Sequence, residues 1–354
     1  MPLDNPQGDS LQVLPDQLGR FPPTRYMGSK EKLLGPIWDL ASTVPHDSLL
    51  DLFSGSGAVA YLFKTQGKAV VANDYMAMAR TVARATLVNS RVTLTDADLD
   101  QLLSDHPQPD GFVARHFAGL YFGGAENRRI DHVRAQITGL ECADKRALAM
   151  AALIRACMKK RPRGIFTYTG RRYDDGRRDL RLSLEAQFRE QAALLNNAVF
   201  DNGRPHRVLC ADAMRVMTQA DLVYIDPPYF SPLSDNEYVR RYHFLEGLAR
   251  DWRGVEMQWH TKTRKFRSYP TPFSTRAGAC AAFERLFRRH RESAILVSYA
   301  SNAQPTKDEL LALLKRHKRH VELVEVDHRY SFATQGETNG AIKNGVREYL
   351  FLGR

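Results

Sequence analysis

The fold is decided by the stretch Ser48-Leu49-Leu50-Asp51-Leu52-Phe53-Ser54-Gly55-Ser56-Gly57 and by the later run Ala69-Val70-Val71-Ala72-Asn73-Asp74. The first stretch is a short apolar run that enters a glycine-containing turn, and the second is another short apolar run. Residues 58–64 between them have the pattern of a helix, so the three pieces form a β-α-β unit. Strands joined in this way are parallel and belong to a doubly wound sheet. The sequence therefore predicts an α/β protein.

Further apolar runs predict that the sheet continues later in the chain, at residues 207–210, 222–225, 294–298, 321–326 and 348–352. Between residues 96 and 200 the apolar periodicity is helical instead, notably over 145–159 and 184–199. We therefore expect a poorly ordered, proline-containing leader at 1–24, a sheet domain made of 25–90 and 205–354, and a mainly helical insertion at 91–204.

Composition excludes several classes of protein. The four cysteines, Cys142, Cys157, Cys210 and Cys280, are scattered without metal-ligand spacing, so the sequence predicts neither a disulfide framework nor a metal site. No apolar run approaches the roughly 18 residues that span a bilayer, and the N-terminus is unlike a signal peptide. We expect a cytoplasmic protein. The formal net charge of +11 favours a polyanionic partner.

The inserted region contains a segment in which cations alternate with aromatic residues, as on a surface that binds nucleic acid. A solvated basic loop is the alternative, because runs of charge usually face water. A second basic stretch lies at residues 240–267. The residues of the first segment that we expect to contact DNA are Lys159, Arg161, Arg163, Tyr168, Arg171, Arg172, Arg177 and Arg178.

The turn at residues 51–57 lies where a strand passes into a helix, and its glycines allow a ligand to approach the backbone closely. Asp74 ends the next predicted strand, a position from which an acid can bind ribose hydroxyls. The pattern indicates a nucleoside site. A nicotinamide cofactor is disfavoured because Ala60 stands where the dinucleotide fingerprint has its third glycine, and no P-loop lysine follows.

Asp226-Pro227-Pro228-Tyr229 follows the apolar run at 222–225, which places it at the carboxyl end of a strand, where α/β sheets bind ligands. The amino group on a base ring is a poor nucleophile because its lone pair is delocalised. The Asp226 carboxylate and the Pro227 carbonyl can each accept one of its N–H groups and free the lone pair for attack. The prolines stiffen the loop, and Tyr229 offers a face on which an extruded base can stack. An incidental Pro-Pro turn is the alternative.

These blocks resemble the Dam-type DNA adenine methyltransferases, which transfer a methyl group from S-adenosylmethionine. Residues 25–34 are similar to the family's N-terminal cofactor motif, which would add Tyr26 and Lys30 to the cofactor site. Residues 51–57, with Asp51, Phe53, Gly55 and Gly57, resemble the main cofactor loop. By the same resemblance Asp74 binds the ribose and Asp212 lies near the cofactor adenine.

The resemblance implies a Rossmann-like methyltransferase sheet, a target-recognition region at 91–204 and a hairpin at 164–170 that reads double-stranded DNA. It is weak over residues 91–200. It also implies methylation of adenine N6 in a flipped-out base and a possible cognate restriction endonuclease. Methylation of cytosine N4 by the same mechanism stays open, since an Asp-headed tetrapeptide serves either amino group. Methylation of ribosomal RNA, a non-catalytic DNA-binding module and a small-molecule methyltransferase are less favoured.

Overall fold

The computed structural model describes residues 15–170, 173–230, 237–328 and 346–354. Within those residues the sheet has seven strands in the spatial order β3-β2-β1-β4-β5-β7-β6. The first five strands in that order are parallel, and β7 is antiparallel to both of its neighbours. The strands are β1 (Ser48–Asp51), β2 (Ala69–Asp74), β3 (His206–Cys210), β4 (Leu222–Ile225), β5 (Ala294–Ala300), β6 (Val321–His328) and β7 (Val346–Gly353).

Helices cover both faces of the sheet and form a separate layer beside it. In chain order the α-helices of the described residues are α1 (Leu34–Ala41), α2 (Ala58–Thr65), α3 (Ala77–Ala83), α4 (Asp96–Leu103), α5 (Phe112–His116), α6 (Gly124–Gly139), α7 (Ala143–Lys159), α8 (Arg178–Arg181), α9 (Leu184–Ala198), α10 (Tyr238–Arg250), α11 (Arg276–Arg289) and α12 (Lys307–Lys315).

Alternate residues of the central strands build two cores. Leu49 of β1 packs into the cluster formed by α1 and α2, whereas its neighbour Leu50 packs into the cluster formed by α11 and α12. Successive side chains of a strand point to opposite faces of a sheet, so a continuous apolar strand is the signature of a sheet covered on both sides. The predicted doubly wound Rossmann-like architecture is confirmed.

The third core belongs to the helical layer. It joins α6, α7 and α9 of the inserted region to α3 and α10, which flank the sheet domain. Fully buried residues such as Ile130, Leu153 and Phe188 form its centre. The contacts across this core tie the helical layer to the sheet domain, and the domain limits that we expect from the sequence stay a prediction.

Two local expectations are wrong. The poorly ordered leader that we expect at 1–24 is wrong for residues 15–24: a 3₁₀ turn spans Asp16–Arg20, and Phe21 is buried with its ring 4.8 Å from that of Tyr61. Residues 1–14 lie outside the described residues. The hairpin expected at 164–170 is not formed, since these residues contain no strand. Its apolar side chain Phe166 is instead buried and stacks on Phe244 of α10, which anchors the segment inside the protein.

No helix among the described residues combines the length and the apolar character that crossing a membrane requires.

Candidate active site

The loop between β1 and α2 is shaped by glycines and held by an acid. Gly55 and Gly57 have φ angles of +50° and +83°, which side chains of L-amino acids rarely tolerate. Asp74, at the end of β2, accepts hydrogen bonds from the backbone N–H of Gly55 (2.9 Å) and of Met76 (2.8 Å). The carboxylate therefore fixes the loop, and each of its oxygens keeps a lone pair for a ligand.

An aromatic wall stands over this loop. The ring of Tyr26 stacks on that of Tyr242 with centroids 5.1 Å apart, and a Cβ atom at Gly55 would lie only 3.0 Å from Tyr26 Cε1. Phe53 packs edge-on against Phe273, with ring centroids 5.5 Å apart. The wall explains in steric terms why the loop needs a glycine at position 55.

The loop and the wall enclose a pocket of roughly 830 Å³, open solvent included, which lies within the range of ligand sites. It is lined by seven of the eight residues predicted to bind the cofactor, all but Gly57, and by Asp226 and Pro228 of the tetrapeptide. Asp212 is exposed at its rim and accepts a hydrogen bond from Met214 N at 2.9 Å.

The lining acids Asp51 and Asp74 are buried, and the Asp226 side chain, 15% exposed, lies near them. Burial, helped by the nearby charges of Asp226 and Asp74, raises the pKa of Asp51 well above its usual range. Burial also raises the pKa of Asp74 and that of Asp226, each to about 6. Asp51 Oδ2 has no hydrogen-bond partner among the described residues. Asp51 and Asp74 form no ion pair with another described residue, so this part of the pocket is complementary to a cation.

The Asp226 carboxylate at the end of β4 is held by two side chains through a single oxygen. Lys30 Nζ lies 2.9 Å from Asp226 Oδ1, and the Tyr229 hydroxyl lies 2.9 Å from the same atom. Within the described residues Oδ2 takes no hydrogen bond. The Lys30 ammonium was predicted to contact the cofactor, and the structure brings it to the tetrapeptide.

The other members of the tetrapeptide lie around this carboxylate. Pro228 lines the pocket, whereas Pro227 is buried and does not. The Tyr229 ring packs edge-on against Tyr299 at 4.9 Å, so its hydroxyl rather than its face is directed at Asp226.

Sequence reasoning missed two groups of residues at the site. Glu348 of β7 is fully buried, and its Oε1 lies 2.6 Å from the Tyr229 hydroxyl and 3.4 Å from Lys30 Nζ. A buried acid in an otherwise apolar strand was the available signal. The second group comprises Tyr75, Tyr238 and the segment Pro270-Thr271-Pro272-Phe273, in which the two prolines marked an ordered turn.

The predicted DNA-binding segment is corrected at one residue. The Arg161 side chain is buried, and its guanidinium donates to the carbonyls of Tyr168 (2.8 Å), Gly170 (3.1 Å) and Tyr121 (3.3 Å). It also lies over the Tyr168 ring, 4.8 Å from the centroid. Arg161 therefore closes the segment onto the protein and does not reach a phosphate, because its side chain is buried and both terminal nitrogens already donate to carbonyls.

The rest of the segment makes contacts within the protein. Lys159 Nζ lies 3.6 Å from Asp179, and Arg163 lies over the Tyr173 ring at 4.4 Å. The half-buried Tyr168 donates its hydroxyl to the Pro162 carbonyl, and Arg177 and Arg178 pair with Asp175 and Glu190. Arg171 and Arg172 lie outside the described residues. Apart from Arg161, the DNA-contact assignments stay predictions.

A sheet of this order, with a glycine-shaped loop after β1, an acid after β2 and Asp-Pro-Pro-Tyr after β4, defines a methyltransferase of the Rossmann-like class. The chain belongs to the family described as D12 class N6 adenine-specific DNA methyltransferases, whose model matches residues 26–302. Site-specific methylation of adenine N6 in DNA is therefore its activity, and the cytosine N4 alternative is not favoured.

Curated relatives agree with this assignment. The Type II methyltransferase M2.HphI of Haemophilus parahaemolyticus is 30% identical over 351 residues, which cover 94% of this chain and 98% of the relative. The Type II methyltransferase M.NlaIII of Neisseria lactamica is 26% identical, with coverage of 92% and 98%. The modification methylase LlaI of Lactococcus lactis subsp. lactis is 24% identical over 82% of this chain and 48% of its own length.

Proposed function

We propose that this chain transfers the methyl group of S-adenosylmethionine to N6 of an adenine that has been extruded from double-stranded DNA. The observation that carries the proposal is the shared pocket, in which the glycine loop after β1 and the Asp226 carboxylate line one cavity. A donor held by the loop and an acceptor held by Asp226 would lie next to each other, as a direct transfer requires.

The acid-rich pocket fits this cofactor, which carries positive charge on its sulfonium and on its amino group. Asp51 has a buried oxygen without a partner among the described residues, and Asp74 keeps acceptor capacity for ribose hydroxyls. By the family resemblance Asp212 would lie near the cofactor adenine, and Phe53 would contact the cofactor as part of the loop after β1. The bound cofactor would supply an electrophilic methyl group. Because it is a cation, it would also compensate the charge of the buried carboxylates.

The chain's own part in the reaction is to prepare the amino group. Asp226 Oδ2 accepts one N–H of the base, which draws the nitrogen away from conjugation with the ring. When the new C–N bond forms, the methyl–sulfur bond of the donor breaks and its electron pair stays on sulfur. The nitrogen then carries one proton too many, and Oδ2 is positioned to take it. Burial raises the pKa of Asp226 to about 6, which makes it a better proton acceptor than an exposed aspartate. Stacking of the extruded base on the Tyr229 ring stays a prediction, since this ring packs against Tyr299 and is not among the described residues that line the pocket.

A hairpin next to the pocket is suited to contact duplex DNA. Residues 256–267 form a hairpin in which Met257 bridges Phe266, and the chain continues from it into the pocket wall at Pro270. At its tip Trp259 is 48% exposed, which is unusual for a side chain of this size. Lys262 and Arg267 are exposed and make no ion pair or side-chain hydrogen bond with any other described residue. We assign this hairpin to phosphate contact and to packing against the opened duplex.

The test is nucleoside mass spectrometry on DNA from a methylation-deficient host that expresses the protein, with Asp226→Ala beside it. Asp308→Ala, which removes an exposed acid from the start of α12, is the matched control. N6-methyladenine that is lost only in Asp226→Ala supports the proposal. N4-methylcytosine would overturn the target base, and unmodified DNA would redirect the search to RNA substrates or to a binding module.

We also propose a cognate restriction endonuclease as partner, because the relatives are named Type II methyltransferases and modification methylases. DNA methylated by this enzyme should then resist cleavage by that nuclease, and cleavage of fully methylated DNA would contradict the pairing.

A further inference from the structure

The buried carboxylate of Glu348 has no role in the reaction described so far, although it lies in the active site. It comes from β7, beyond the residues 26–302 that the family model matches. Its Oε1 lies 2.6 Å from the Tyr229 hydroxyl and 3.4 Å from Lys30 Nζ. Both of those groups also contact Asp226 Oδ1, at 2.9 Å each. The four side chains therefore form one connected network, which we call the Glu348 clamp.

We propose that Glu348 is a positioning residue for methyl transfer: it helps to hold Lys30 on one oxygen of Asp226 and accepts the proton of the Tyr229 hydroxyl, and it so reserves the other oxygen of Asp226 for the amino group of the base. This inference rests on the function proposed above and adds a residue to it.

The Lys30 ammonium is held in place by several acceptors at once. Lys30 has three donors, and its partners include Asp226, Glu348 and the Gly28 carbonyl at 3.1 Å. Its ammonium is thereby fixed rather than free to follow a substrate. The cation also lies 5.1 Å from the centroid of the Tyr229 ring, which adds a contact within the clamp.

Tyr229 can donate only one proton, yet its hydroxyl lies between two carboxylates. The shorter contact is the one to Glu348, so the hydroxyl donates to Glu348 unless a second proton enters the cluster. Without Glu348 that donor would turn to Asp226 alone and would compete with the base for the carboxylate. The clamp keeps the hydroxyl from neutralising the catalytic acid.

The charges around Asp226 also give Glu348 an influence on this carboxylate. The groups facing Asp226 are Lys30 from the N-terminal segment, Tyr229 and Tyr224 from its own strand and loop, Tyr238 from α10, Asp51 from β1 and Glu348 from β7. Burial raises the pKa of Asp226, Lys30 lowers it, and the Glu348 charge raises it again. Removing that charge should lower the pKa of Asp226, so the pH at which the enzyme loses activity in acid should move down.

The test compares the full-length enzyme with Glu348→Gln, which keeps size and hydrogen bonding but removes the charge. Glu322→Gln is the matched control, because Glu322 is an exposed acid on the neighbouring strand β6. Single-turnover rates on duplex DNA are measured from pH 5 to pH 8. We expect Glu348→Gln to slow transfer about tenfold at neutral pH, with the acid limb displaced to lower pH and cofactor affinity retained. Unchanged rate and pH profile would overturn the proposal.

A second variant keeps the test decisive if Glu348→Gln does not fold. Tyr229→Phe retains the ring and removes only the clamp hydroxyl, so it should lower kcat while the KM for DNA stays close to that of the parent. If Tyr229→Phe has the parent rate and pH profile, the clamp is refuted. Active parent enzyme and inactive Asp226→Ala in the same assay would show that such a failure concerns the clamp and not the methyltransferase function.

Discussion

Arg161→Ala tests whether this arginine supports the fold or contacts DNA. In the structure the side chain is 2% exposed and donates to three backbone carbonyls, those of Tyr168, Gly170 and Tyr121. A hydrogen bond to a charged group contributes about 1.5–3 kcal/mol, but three bonds from one guanidinium are not additive, and burying the charge offsets part of the gain. We therefore expect a loss of roughly 3 kcal/mol in the free energy of unfolding.

The expected change in melting temperature follows from the length of the chain. An unfolding entropy of about 2.1 cal/mol/K per residue gives roughly 0.74 kcal/mol/K for 354 residues, so Tm should fall by about 4 °C if the chain unfolds cooperatively. Differential scanning calorimetry and urea denaturation measure this change. In the folded variant, the salt dependence of DNA affinity should equal that of the parent.

The matched comparison is Lys262→Ala in the hairpin at 256–267, where the lysine is exposed. For Lys262→Ala we expect a Tm within about 1 °C of the parent, because surface substitutions cost less than about 0.5 kcal/mol. The slope of log DNA affinity against log salt concentration should become smaller by the equivalent of about one phosphate contact. The reasoning is refuted if Arg161→Ala keeps the parent Tm and instead lowers the salt slope.

Three further outcomes follow from the site and the fold. The rate of methyl transfer should fall as the pH drops through about 6, because burial raises the pKa of Asp226 to about 6. The protonated acid no longer offers a carboxylate that accepts an N–H group of the base. A rate that stays constant down to pH 5 would contradict this expectation. Gly55→Ala should raise the Kd for the cofactor, measured by calorimetry, at least about tenfold. The new alanine Cβ would lie 3.0 Å from Tyr26 Cε1, in a backbone with a φ of +50°. An unchanged Kd would argue against the loop as the binding element. Phe21→Ala should lower the free energy of unfolding by about 3 kcal/mol in urea, and a smaller loss than 1 kcal/mol would show that the N-terminal segment packs only weakly.

The sheet could be predicted because its strands are short apolar runs next to turn residues, and each predicted run is a strand in the structure. The catalytic loop could be predicted for the same reason, since a motif that follows a buried strand lies at the carboxyl edge of the sheet. Glycine, proline and apolar residues act on the backbone of their own segment. Their effect can therefore be predicted from each segment of the sequence separately.

The partners of charged residues could not be predicted in that way. Arg161 stands among other cations, and a run of charge has the same composition whether it faces phosphates, water or backbone carbonyls. Only the placement of the Tyr121, Tyr168 and Gly170 carbonyls around it shows that it is internal. The expected hairpin was wrong for a related reason, because the burial of Phe166 against α10 depends on a helix far along the chain.

Glu348 shows why topology decides the part of the site that sequence reasoning missed. A parallel strand would present its last residue, near Gly353, at the edge where β1 and β4 end in Asp51 and the tetrapeptide. Because β7 runs antiparallel, its beginning lies at that edge instead, and Glu348 pairs with Ala300, the last residue of β5. The acid thereby reaches Lys30 from the N-terminal segment and Tyr229 from the loop after β4. The reversed strand is thus what allows a residue near the C-terminus to act on the catalytic carboxylate, and an apolar run with one acid does not reveal the direction in which its strand will pair.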